Sequence, residues 1–171
     1  MRITIARAVK LGVSLLIAGM WFYAFVLAPR ESFNNIADPQ WSARSEVTCR
    51  KARDTISGLA DLQRIDPNNP QVLLQKADII DRATDALEKA IDDVASDPPG
   101  TEKGRALVPM WVSDWKRYIQ DRRDYTATMR SGRLVEFAES QVEGVPISER
   151  LAKFARENRM KSCQPPRDLQ A

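Results

Sequence analysis

The chain has 171 residues, of which 26 are basic and 23 acidic, with two cysteines and no histidine. Without histidine a Ser–His–Asp or Cys–His nucleophilic site is impossible, and most metal-hydrolase ligand sets are excluded. Glycine is sparse and no phosphate-cradling loop of the Walker or dinucleotide type is present, so no nucleotide cofactor is implied.

Arg2, Arg7 and Lys10 precede a stretch from Leu11 to Ala28 that carries no charge. Eighteen residues at a helical rise of about 1.5 Å reach roughly 27 Å, close to the hydrocarbon thickness of a bilayer. Trp21, Phe22, Tyr23 and Phe25 gather toward its end, where such rings favour the interface. The stretch predicts a transmembrane anchor over 11–28 with residues 1–10 as a short cytoplasmic N-terminus. A cleaved secretory signal shares the basic start and the apolar run. Pro29 would then follow the cut, which makes a poor substrate, and the stretch is long and bulky to its end. The basic residues lie before the span, so the positive-inside rule sends everything after Ala28 out of the cytoplasm. The expected location is the plasma membrane, crossed once, in a bacterial cell.

Residues 1–28 hold three of the basic residues and no acid, which leaves 23 basic against 23 acidic residues beyond them. The net positive charge therefore belongs to the anchor. A neutral outer domain gives no electrostatic case for nucleic acid, which needs a basic face. Both cysteines, Cys49 and Cys163, fall in the outer part, where a lone pair is expected to form a disulfide.

Along the outer part, residues 29–40 read as a polar spacer, 41–164 as a helical domain and 165–171 as a C-terminal tail. Helices are predicted over 41–65, 70–96, 109–129 and 148–161. Asn69 is expected to cap the second helix with Pro70 at its first position, Pro109 to open the third and Ser148 to cap the fourth. Leu73, Ala77, Ile80, Thr84, Leu87, Ile91 and Val94 alternate steps of four and three, a seam of three heptads. Residues 132–146 read as a loop. The turn at Ile65–Pro70 looks like a tetratricopeptide boundary, but the next helix runs too long for a repeat array. The fold class is all-α, with one transmembrane helix and an up-down bundle of about four helices outside. Four antiparallel passes bring Cys163 back to the start of the first outer helix, near Cys49.

Trp111, Trp115, Tyr118, Arg122 and Tyr125 fall at steps of four, three, four and three, on one helical stripe. An arginine among aromatic rings predicts cation–π stacking, or a buried pair with a carboxylate such as Asp114 or Asp121. The stripe is either an aromatic core or a groove for a ligand or partner. It and the Cys-containing tail resemble small single-pass envelope proteins of uncharacterised function in high-GC Gram-positive bacteria, a resemblance that implies no activity. The leading expectation is a non-enzymatic protein that binds or scaffolds a protein partner, as an accessory subunit of a membrane complex. The alternative is an outer module for a small or lipidic ligand held among Trp111, Trp115, Tyr118 and Tyr125, which requires a cavity beside the stripe.

Overall fold

The structure is a computed structural model describing residues 5–27, 32–59 and 69–169. The chain forms two compact units, Met1–Phe33 and Asn34–Ala171. In the first, helix α1 (Ile5–Phe22) continues as a π-helical turn over Tyr23–Leu27. Val9–Val26 is long and apolar enough to cross a membrane, and none of it is buried in the protein. Trp21 stacks on Phe25 one turn later, as aromatic residues four apart can. Residues 28–31, where the span was expected to end, lie outside the described residues.

The second unit is built on three long helices: α2 (Pro39–Leu59), α3 (Pro70–Ser96) and α4 (Glu102–Arg130). Each starts at a side-chain cap. The Asp38 carboxylate accepts the Trp41 N–H ahead of Pro39, Asn69 accepts from Gln71 and Val72 ahead of Pro70, and Thr101 accepts from Gly104. Such caps satisfy N–H groups that the first turn leaves unpaired. Asp38 and Asn69 thus share the same Asx–Pro start.

The predicted seam of α3 is buried along its whole length, and Ala83 and Ala90 are buried with it. The buried face is therefore wider than a coiled-coil stripe, because α3 packs against both α2 and α4. Trp41 at the start of α2 donates its indole N–H to the carbonyl of Asp97 at the end of α3, which sets these two helices antiparallel. Arg130 and Arg123 meet Asp78 and Asp85 in reverse order, which does the same for α3 and α4.

Four expectations need correction. Pro109 does not open the third helix but lies inside α4. The start moves back to Glu102 because Thr101 caps it and Gly104 lies so close to Pro99 that a Cβ there would sit 2.7 Å from the proline ring. The proline costs one hydrogen bond in the second turn, which burial of the helix beyond it outweighs. Residues 132–146 are not a simple loop, since Gln141–Val142 (β1) and Val145–Pro146 (β2) form a small antiparallel hairpin. Its two-residue turn holds Glu143 and Gly144 at φ 54° and 77°, the paired positive values that such hairpins favour. Ser148 does not cap the last helix, α5 (Ile147–Glu157), by accepting a bond. It donates its N–H and O–H to Glu139, so the carboxylate is the cap. The helix ends at Glu157, short of 161, and Cys163 lies in a separate 3-10 turn, Lys161–Cys163.

The return of the chain follows the expected course. The Asn158 side chain accepts from the Ile36 N–H and donates to the Asn34 carbonyl, and Cys49 and Cys163 form a disulfide. Ile36 is fully buried, so residues 34–38 of the polar segment pack into this unit. The predicted end of the first outer helix, 60–65, lies outside the described residues.

Candidate functional site

The aromatic stripe of α4 begins as a helical periodicity and ends as the centre of the core. Trp111, Trp115 and Tyr118 are buried and Tyr125 is half-buried. Trp111 stacks on Phe154 of α5 at 5.2 Å and meets Trp115 edge-on at 6.2 Å. Trp115 meets Tyr118 edge-on, and Phe137 bridges Tyr118 and Tyr125 from the segment before the hairpin. These are the offset and edge-to-face geometries that aromatic quadrupoles prefer. The Trp111 indole donates to the Leu151 carbonyl. Phe154 of α5 and Phe137 of the return segment cover the stripe on their sides, and Trp115 also lines a small apolar space beside the disulfide.

Arg122 is the chemically distinctive member. Its side chain has no exposed surface. Its Nε donates to Thr84 of α3 at 2.9 Å, and its Nη atoms donate to both oxygens of Asp168 at 2.9 and 2.7 Å. The guanidinium carbon lies 5.9 Å from the Tyr118 ring centre, within cation–π range. Burial works to lower the guanidinium pKa, but the Asp168 hydrogen bonds and charge, helped by Tyr118, outweigh it and raise it. Burial likewise pushes the Tyr118 hydroxyl upward, against the pull of Arg122.

The expected carboxylate was Asp114 or Asp121, and neither holds this place. Asp114 pairs with Arg150 of α5, and Asp121 accepts the N–H and O–H of Ser140. Spacing on one helix could not reveal a partner 46 residues away.

Asp121–Ser140 is one of three similar clasps. Glu139 holds the N–H and O–H of Ser148, and Glu46 holds those of Ser162. Together they fasten the return segment to α4, α5 to the segment before it, and the disulfide turn to α2. Sequence reasoning missed all three because each joins residues distant in the chain or turn. The acidic face of α3 is partly claimed as well, with Arg123 bridging Asp85 and Glu88 and Arg130 bridging Asp78 and Asp81.

After Cys163 the chain turns back along α2 as a segment lying against the helices. Arg53 donates to the Gln164 carbonyl, Asp168 reaches Arg122, and Leu169 packs with Leu73, Ala77, Ile80 and Met129. Ala52, Ile56, Leu87, Ile91 and Trp115, with Pro166 and the disulfide, line a small apolar channel there. Among the described residues no cluster of three metal-ligating side chains occurs. Comparison with protein-family models, curated proteins and solved structures gives no match.

Proposed function

We propose that the chain is a single-pass protein of the bacterial plasma membrane whose helical domain lies outside the cytoplasm. There it binds or scaffolds another protein, as a non-enzymatic accessory subunit of a membrane complex. The observation that carries this reading is an uncovered apolar helix at Val9–Val26 on the same chain as a disulfide-closed domain. An apolar helix with no protein cover suits a lipid surround, and a disulfide persists in an oxidising compartment. Protein binding is supported by Met110, Leu134, Val135 and Val145, large apolar side chains left exposed on the domain. Leu134 and Val135 are neighbours in the chain, and apolar groups exposed close together commonly mark contact surfaces.

The core role of Trp115 and Arg122 moves the test to the surface. The full chain, solubilised from its own membranes in mild detergent, is expected to bring a stoichiometric protein with it. Leu134→Ser combined with Val135→Ser is expected to reduce that recovery while leaving the helical circular dichroism unchanged. Isolation as a monomer with no companion contradicts the reading.

A further inference from the structure

Four arginines of α4 and α5 pair across the domain. Three take their carboxylates from a neighbouring helix: Arg123 from Asp85 and Glu88, Arg130 from Asp78 and Asp81, and Arg150 from Asp114. Arg122 differs in two ways. It alone of the four is fully buried, and its carboxylate comes from the segment that follows the disulfide. Burying a charge is seldom a net gain in stability, whereas a bidentate buried arginine specifies closely what sits against it.

Residues 164–169 are held as a bound peptide would be. A backbone carbonyl, that of Gln164, accepts from Arg53. Pro166 forms part of the wall of the apolar channel, Asp168 fills the guanidinium fork, and Leu169 rests on an aliphatic cluster. Between Gln164 and Asp168 the segment makes no hydrogen bond among the described residues. The seam opens outward, since the Asp168 side chain is 29% exposed while that of Arg122 is 0% exposed. A channel that takes a carbonyl, a proline, a carboxylate and an aliphatic side chain at fixed intervals has the chemistry of peptide recognition.

Resting on the partner-binding reading above, we propose that this channel is a recognition site for an extended segment of the partner. That segment carries a proline, an aspartate two positions later and an aliphatic residue next to it. Residues 164–169 fill the site in cis until that segment replaces them. The disulfide starts the tail beside its own channel, so its local concentration is high. A partner held on the same membrane competes on comparable terms.

The test uses the full chain in detergent micelles and a fluorescein-labelled peptide of the sequence of residues 164–171. With Asp168→Ala and Leu169→Ala together weakening the tail, the chain is expected to bind the peptide saturably, at least about tenfold more tightly than wild type. A peptide with asparagine for its aspartate is expected to bind at least about tenfold more weakly, the loss of a charge-assisted bidentate bond. Adding Arg122→Met should abolish binding. No saturable binding, or equal binding of the asparagine peptide, overturns the proposal. Should the double variant lose its helicity, hydrogen exchange on the wild-type chain decides. Excess peptide should then speed exchange at residues 167–169, and unchanged exchange overturns the proposal. The two readings fail separately. A chain that binds the peptide but co-isolates no protein contradicts the partner reading. A chain that co-isolates a protein but ignores the peptide contradicts the channel.

Discussion

Helix α4 is joined to α3 on one side through Arg123 and Arg130, side chains 35% and 38% exposed. Toward residues 131–169 it is joined through the fully buried Arg122, the Asp121–Ser140 clasp, the Arg150–Asp114 pair and the rings of Phe137 and Phe154. The α3 side rests on a long apolar face, with ion pairs laid over it that contribute about 0–1 kcal/mol each. The return side has a short helix and a two-stranded hairpin, and to the packing of Phe137 and Phe154 it adds specific polar contacts at single side chains. The first kind of contact tolerates substitution and encodes itself as periodicity. The second depends on single side chains and leaves little trace in the local sequence.

The largest way to break that contrast is the disulfide. Cys49→Ser with Cys163→Ser opens a link between residues 114 apart, for which the chain-entropy account gives up to about 4–5 kcal/mol. Denaturant melts should show that loss, and hydrogen exchange should rise in residues 140–169 before it rises in α3. Trp115→Ala comes next, at about 3–5 kcal/mol for a buried ring, read from the same melts. Asp168→Ala separates two accounts of Arg122. A purely structural pair costs about 3–5 kcal/mol when one member is removed, whereas a tail that can lift away lets water reach the guanidinium and lowers the cost to about 1 kcal/mol.

Much of the first kind of contact was legible in advance. The heptad seam from Leu73 to Val94, the Asn69–Pro70 start and the pairing of Cys49 with Cys163 all follow from spacing, capping chemistry or the count of antiparallel passes. The stripe on α4 was legible as a stripe, but its role was not, since rings at helical spacing serve core and groove equally. Pro109 misled because the competing signal, Thr101 capping a helix with Gly104 against Pro99, is a tertiary fit. The partner of Arg122 and the serine clasps were illegible because nothing local ties Asp168 to α4 or Glu46 to Ser162.

Smaller effects sharpen the comparison. Asp38 is held below its ordinary value near 3.8, first by the Trp41 N–H against the opposing effect of burial, and also by the Gly100 N–H and Arg44. Its folded pKa lies below the unfolded one, so its stabilisation is complete above the unfolded value. It is lost as pH falls through the lower, folded value. Asp38→Asn should cost about 1 kcal/mol or less at neutral pH, as caps of similar quality do, and should flatten the acid limb of a stability–pH curve. Smallest of all, Arg123→Gln and Arg130→Gln should each cost about 1 kcal/mol or less, shrinking further at high salt.

On the proposed reading the helical domain meets a protein at the channel beside the disulfide. Arg53 is exposed at the rim of that channel, so the direct measurement is Arg53→p-benzoylphenylalanine in the full chain, irradiated in intact membranes. The account predicts one discrete heavier adduct containing a second protein, with higher yield when Asp168→Ala loosens the tail. Adducts confined to lipid or to the chain itself, in both backgrounds, would contradict it.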